Sequence, residues 1–496
     1  MPAIDVDQVE RSARCDTRYQ GEESDRCERP LDDTLHHLPL EIDLDLIRRL
    51  DRNGPRYTSY PTADRFVEAF GTDAYVSWVA KRNIGGVRRA LSLYVHLPFC
   101  STLCFYCACN KIATKDRSKG RRYLDYLYRE IDMQSALFGA DRRVVQMHWG
   151  GGTPTFHEIH ELARLFAVLG TKFDFAADGE YSIEVDPRTV DASSVAALRA
   201  MGFNRISLGV QDFDPDVQRA VNRVQSESQT LEVIEAAHRE GFQSVNVDLI
   251  YGLPRQNLLT FNRTLARVIN AKPDRVAIYN YAHMPVRFKP QRRILDEDLP
   301  TPDIKLKLLG LAAQRLGAAG YVYIGMDHFA RAEDSLAVAQ REGRLHRNFQ
   351  GYSTHAECDL VGLGVSSIGQ IGPTYSQNHR DLTAYYDSIE RGQLPIARGV
   401  ELTADDLARR AVILNLMCDF ALSKEKIEVS YLIDFNEYFK LELRELETLS
   451  QAGLVTLEPH WISVTPKGRM LVRNVCMVFD PYLRKDQELR KFSRVI

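Results

Sequence analysis

At 496 residues the chain is longer than one hydrophobic core usually organises, so a large domain joined to a smaller one is expected. Its 44% hydrophobic and 26% charged residues are those of an ordinary globular protein and exclude disordered and fibrous classes. A net charge of −3, without a long dense run of Lys and Arg, leaves no footprint for nucleic acid and points to small-molecule chemistry.

Residues 1–43 are polar and without sustained period, and are read as a flexible arm. The start, Met1-Pro2-Ala3-Ile4-Asp5, lacks the basic and apolar blocks of a signal peptide, and no window approaches eighteen consecutive apolar residues. A cytoplasmic protein without membrane contact is therefore expected; a monomer is expected as well. A short helix over Leu44 to Leu50 leads into Gly54-Pro55-Arg56-Tyr57-Thr58-Ser59-Tyr60-Pro61, where glycine and prolines forbid a regular element.

Six short runs rich in Val, Ile, Leu or Tyr follow: Leu91 to Leu97, Val144 to Trp149, Tyr181 to Val185, Arg205 to Val210, Ser244 to Ile250 and Arg275 to Tyr281. Each precedes a stretch with helical spacing, which implies parallel pairing in an α/β fold. Six units are too few for a closed eight-stranded barrel, so an open partial barrel or an open sheet is expected over residues 44–369. Beyond, residues 370–496 read as a smaller α-rich, winged-helix-like domain, with helices over Asp405 to Phe420 and Glu437 to Gly453, a strand over Trp461 to Thr465 and a helical stretch from Gly468 to Val475.

Of nine cysteines, Cys15, Cys27, Cys358, Cys418 and Cys476 are scattered, whereas four crowd into Cys100-Ser-Thr-Leu-Cys104-Phe-Tyr-Cys107-Ala-Cys109, just past the first strand. In a reducing compartment that pattern reads as a metal site plus bystander thiols. A loop of thiolates can wrap an iron–sulfur cubane, and three ligands would leave one iron open. Zinc is the competing reading, but it usually asks for a second, distant Cys or His pair, which does not follow here. His148-Trp149-Gly150-Gly151-Gly152-Thr153-Pro154 ends the second strand with glycines that let backbone approach a ligand. Glu184, Gln211 and Asp248 stand near strand ends, where a carboxylate needs a partner such as an ammonium or a ribose hydroxyl; a structural pair with arginine is the plainer alternative. Arg223 reads equally as a solvated helix charge.

The three-then-two cysteine spacing closely resembles the radical S-adenosylmethionine (SAM) superfamily. Within it, Gly54 to Thr62, the trailing Cys109-Asn110-Lys111, Gly325-Met326-Asp327-His328-Phe329-Ala330, His346-Arg347-Asn348-Phe349-Gln350-Gly351-Tyr352 and Phe492-Ser493-Arg494-Val495-Ile496 resemble the oxygen-independent coproporphyrinogen III oxidase family over Leu44 to Ile496. That resemblance implies a partial (β/α)6 radical SAM barrel with a helical C-terminal domain. It implies a [4Fe-4S] cluster on Cys100, Cys104 and Cys107, with Cys109 either near the cluster or a structural thiol. It implies two SAM molecules, one held by Tyr94, Gly151, Glu184 and Ile368, the other by Tyr106, Gly152, Thr153, Gln211, Arg223, Asp248 and Ala282. The implied reaction is oxidative decarboxylation of the ring A and B propionates of coproporphyrinogen III to protoporphyrinogen IX, with an unidentified electron donor and acceptor. Arg56 and Arg331 are candidates for substrate carboxylates, and Asp419 departs from an Asn in the family pattern. A haem chaperone of the same fold and a radical SAM methyltransferase are the rivals.

Overall fold

The computed structural model describes residues 40–82, 88–355, 358–485, 492 and 494. The expected arm up to residue 39, with Cys15 and Cys27, and most of the terminal segment after Phe492 lie outside the described residues. No helix among them is long and apolar enough to cross a membrane.

A twelve-stranded sheet carries the architecture. In chain order its strands are β1 (Leu91–Leu97), β2 (Arg143–Gly151), β3 (Asp174–Val185), β4 (Arg205–Gln211), β5 (Ser244–Tyr251), β6 (Arg275–Asn280), β7 (Tyr321–Gly325), β8 (His328–Arg331), β9 (Asp359–Leu363), β10 (Ile368–Ile371), β11 (Thr374–Asn378) and β12 (Ile396–Glu401). The first six are the expected strands, and they pair in sequence order and in parallel. A seventh parallel strand, β9, joins β1 on its outer edge, with Leu93 opposite Val361. Antiparallel strands extend both ends, β8 and β7 beyond β6, and β10, β11 and β12 beyond β9. The expected division at residue 369 falls inside β10, so the main sheet continues to Glu401.

The run Leu91–Leu97 is buried on both faces because helices cover the outside while side chains from other strands fill the inside. Outer helices follow the expected spacing. Leu258–Asn270 turns Phe261, Thr264, Leu265 and Val268 inward, and Asn257 caps it through the Leu259 and Thr260 amides. A hairpin, His346–Asn348 with Gly351–Ser353, lies against β1 and β2: Gln350 Nε2 donates to Ser92 Oγ and Leu93 O (3.4 Å each), and Gln146 Nε2 to Ser353 Oγ (3.0 Å).

After Glu401 the order is helix Ala404–Asp419, strand Ala421–Ser423, three helices ending at Gln451, then strands Val455–Leu457 and Trp461–Val464 in one small antiparallel sheet. This is the expected helical domain with a wing. The helix expected over Glu437 to Gly453 is two, Phe435–Tyr438 and Lys440–Gln451. The helical stretch after Gly468 comprises a 3-10 turn and the helix Val472–Val478, whose side chains join the barrel's hydrophobic core.

Candidate active site

The cysteine loop is fixed by its own backbone. Leaving β1, Phe99–Cys100 pairs in parallel with Ile112–Ala113, so the loop closes on itself: Ile112 N donates to Pro98 O (2.7 Å) and Thr114 N to Cys100 O (2.9 Å). On its far side Phe105 N donates to Val221 O and Asn222 Nδ2 to Leu103 O, both at 2.9 Å. Gln291 Nε2 bridges the carbonyls of Tyr106 (3.0 Å) and Ala282 (3.2 Å). Cys100 and Cys104 are buried, Cys107 is half-buried and Cys109 is exposed.

Donors converge on the sulfurs. Thr153 Oγ1 donates to Cys100 Sγ (3.3 Å), and Arg223 Nη1 stands 3.5 Å and Arg188 Nη2 3.8 Å from Cys104 Sγ. A hydrogen bond from Cys109, helped by the Lys111 ammonium, brings the Cys107 thiol down to about 6, whereas burial pushes Cys100 up to about 11. Soft sulfur donors on a rigid loop suit iron in a cubane cluster.

The glycine run at the end of β2 is laid against this loop. Gly152 N donates to Leu97 O and Thr153 N to Phe99 O, both at 2.9 Å. A Cβ on Gly152 would lie 2.5 Å from Pro98 O, and one on Gly151, whose φ is +118°, would lie 2.6 Å from the His96 ring. Neither position tolerates a side chain.

Beside the loop opens a cavity of about 280 Å³, lined by Tyr94, His96, Cys109, Asn110, Gly151, Glu184, Phe349, Ser366 and Ile368. The four residues expected around one SAM thus face one space. His96 Nε2 meets the Asn110 carbonyl at 3.0 Å and must carry the proton; Nδ1 then accepts from the Tyr94 hydroxyl at 3.0 Å. Burial holds this histidine below its usual range, so it stays neutral. Although burial works against it, the hydrogen bond from His148 keeps Glu184 below the usual carboxylate range, helped by the Gly151 amide (3.3 Å). His148 also stacks on Tyr94, with ring centroids 6.0 Å apart.

The second expected group is spread differently. Arg223 is 7% exposed, and Nη1 donates to Asp186 Oδ2 (3.2 Å) and Nη2 to Gly209 O (2.5 Å); the solvated reading of this arginine does not hold. Gln211 adopts φ +68°, and its Oε1 is buried without a hydrogen-bond partner among the described residues. Asp248 accepts from Ser207 Oγ (3.1 Å) and Asn246 Nδ2 (2.8 Å) and faces a further cavity of about 150 Å³ inside the barrel, shared with His148, Glu184, Tyr279 and His328. Burial, then the nearby Glu184, pushes its carboxyl up to about 6. Tyr106 and Ala282 meet through Gln291, while Gly152 and Thr153 are engaged with the cysteine loop. Sequence reasoning gave no role to His96 or His148, and did not single out Asp186 or Gln291; only His148, beside the glycine run, carried a signal. Of the two arginine candidates, Arg56 pairs with Asp327, whereas Arg331 donates to Pro273 O (3.2 Å) and Lys272 O (3.4 Å) by the start of β6, away from the cysteine loop.

The model of the radical SAM superfamily matches residues 94–268, and that of the HemN C-terminal domain matches residues 402–471. The oxygen-independent coproporphyrinogen III oxidase of Pseudomonas aeruginosa is 51% identical over 456 residues, 92% of this chain and 98% of that protein. Its Escherichia coli counterpart is 49% identical over 457 residues, 92% and 99% respectively. The solved structure of coproporphyrinogen III oxidase (HemN) from Escherichia coli, described as a radical SAM enzyme, superposes with a TM-score of 0.86 at 48% identity, covering 90% of this chain and all of that one. With nine-tenths of the sequence aligned at such identity, and the cysteine loop, glycine run and C-terminal domain all in place, the chain belongs to the oxygen-independent coproporphyrinogen III oxidase family of radical SAM enzymes.

Proposed function

We propose that this enzyme removes the ring A and B propionate carboxyls of coproporphyrinogen III oxidatively, without oxygen, giving the two vinyl groups of protoporphyrinogen IX. Cys100, Cys104 and Cys107 hold a [4Fe-4S] cluster on their thiolates, and Cys109 is not required as a ligand. Tyr94, Gly151, Glu184 and Ile368 hold one SAM; Tyr106, Gly152, Thr153, Gln211, Arg223, Asp248 and Ala282 hold a second. When bound, cluster and SAM supply a carbon radical able to take hydrogen from an unactivated carbon, chemistry that no side-chain base can perform.

The protein's part is orientation and charge. Glu184, kept ionised by His148, suits an ammonium, and the Gly151 backbone lets that group approach closely. The buried Gln211 acceptor and Asp248 suit hydroxyls or an ammonium. The propionate that has lost a β-hydrogen releases carbon dioxide, and one electron leaves for an acceptor outside the chain. Donor and acceptor are unidentified, and we take the protein to act as a cytoplasmic monomer. We also set the end of the catalytic domain at Glu401, where the main sheet stops, in place of residue 369.

The observation that carries this reading is the convergence of Tyr94, Gly151, Glu184 and Ile368 on one cavity bordered by the cysteine loop. Its test is an anaerobic assay of reconstituted protein with coproporphyrinogen III and SAM, counting protoporphyrinogen IX against 5'-deoxyadenosine. Zinc, or no metal, at the loop of oxygen-free protein would overturn it. Haem uptake without decarboxylation would favour the chaperone, and a gain of methyl mass the methyltransferase; identity to the oxidases over nine-tenths of the chain argues against both.

A further inference from the structure

Arg347 is a buried cation with no carboxylate partner among the described residues. Both arginines that line the 150 Å³ cavity are paired: Arg205 with Glu180 at 2.6 Å and Arg275 with Asp334 at 2.9 Å. Arg347, on the hairpin His346–Ser353 behind the cavity-lining Tyr352 and His328, has no such pair among the described residues. It is 4% exposed, its Nε and Nη1 have no hydrogen-bond partner among the described residues, and the Tyr352 ring lies 4.8 Å from the guanidinium carbon.

Its surroundings are positive. Arg56 lies close by, and among the described residues the carboxylate in contact with Arg56 is that of Asp327. Burial, then Arg347 and Arg56, drives the neighbouring His328 imidazole down to about 3, so it is neutral at any physiological pH, and its Nδ1 is likewise buried without a partner. His328 and Tyr352 line the cavity whose other wall carries Glu184 and Asp248. A buried guanidinium left unpaired is costly, and a fold keeps one where a bound anion completes it.

We propose that Arg347, with His328 beside it, receives a propionate carboxylate of the substrate. The inference rests on the proposed function and gives that site its anchoring subsite. A guanidinium edge meets a carboxylate with two parallel N–H donors, and a neutral imidazole adds a third without adding charge. A cavity of this volume admits a carboxylate-tipped arm but not a macrocycle. The same residues fix which propionate is held and so which one faces the cysteine loop.

The test uses the full chain with its cluster reconstituted anaerobically, in wild type, Arg347→Met and Arg347→Lys. Binding is followed by fluorescence with coproporphyrin III and with its tetramethyl ester, which has the same ring and no carboxylates. Arg347→Met weakens coproporphyrin III binding roughly tenfold or more and leaves ester binding unchanged. Arg347→Lys recovers part of the loss. The substrate-free Arg347→Met protein also melts at a higher temperature than wild type, because an uncompensated charge has been removed. Unchanged coproporphyrin III affinity, or equal losses with both probes, overturns the proposal. So does acetate or phosphate raising the melting temperature of wild type but not of Arg347→Met while porphyrin affinity stays the same, since the site then takes a free anion. Failure of wild type to decarboxylate coproporphyrinogen III counts against the function reading instead, and is seen separately in turnover.

Discussion

The rim around the cysteine loop and the inner wall of the barrel both bury charge, but they treat it in opposite ways. At the rim, Asp186 receives Arg223 at 3.2 Å and Arg188 at 2.6 Å, and those arginines in turn approach Cys104. The pairing holds Asp186 below the usual carboxylate range, although burial works against it. On the inner wall, Asp248 has only neutral hydrogen-bond partners among the described residues and is pushed up to about 6, and beside that wall Arg347 has none there for Nε or Nη1. Paired charge makes a rigid frame whose geometry is set before any ligand arrives. Unpaired charge raises the energy of the empty protein and is relieved on binding, which is how a site gains affinity for a polar ligand.

The largest effects should come from the rim. Cys100→Ser, Cys104→Ser or Cys107→Ser each abolishes iron–sulfur absorbance and turnover, whereas Cys109→Ser keeps most of the absorbance, measured on anaerobically reconstituted protein. Asp186→Asn leaves two arginines facing a neutral amide and should destabilise by about 3 kcal/mol, read from urea unfolding. Gly152→Ala brings a methyl within 2.5 Å of Pro98 O and 2.8 Å of Phe99 O. Neither atom is the end of a flexible side chain, so a cost of about 1–3 kcal/mol is expected, together with poorer cluster retention.

The same chemical change on the inner wall should have the opposite sign. The folded pKa of Asp248 lies above its unfolded value of about 3.9, so its contribution to stability is fully present below about pH 4 and is lost as pH rises through about 6. Asp248→Asn removes that loss. It should raise stability at pH 8 by about 1–2 kcal/mol, discounted because the carboxyl faces a cavity, and have little effect at pH 4. If both Asp→Asn variants moved stability in the same direction at pH 8, the distinction between the two regions would fail.

The six leading strands were legible because each is a short Val-, Ile- or Leu-rich run between helical stretches, and the cysteine loop because its spacing constrains the chemistry. The seventh parallel strand was not legible. Asp359–Leu363 follows a hairpin, not a helix, and it finds β1 across more than half the chain. The strands Thr374–Asn378 and Ile396–Glu401 carry Gln, Ser, Asn and Arg, so they read as loop until their partners supply the register. At the site, sequence named the residues lining one cavity but missed the histidines that orient them. His96 and Asn110 are fourteen residues apart, and His148 and Glu184 thirty-six, so neither link shows in a local pattern. Arg347 was visible only as part of a motif; what sets it apart is a missing partner, which no sequence displays.

The smallest effect is expected at a position outside both regions. Asp419, expected from the resemblance to replace an Asn, is half-buried at the end of the helix Ala404–Asp419, with no partner for Oδ1 among the described residues; burial pushes its carboxyl up to about 7, only partly opposed by Lys426. Like Asp248, it favours the folded state most below about pH 4 and loses that contribution as pH rises through about 7. Asp419→Asn should therefore raise the urea midpoint at pH 8 by the equivalent of about 1 kcal/mol, with the gain fading toward pH 4. Turnover should not change, since this carboxyl lines neither cavity. A change in substrate affinity would tie Asp419, through Cys418 and the neighbouring Arg347, to the inner wall, and the line drawn between frame and binding site would have to move outward to include it.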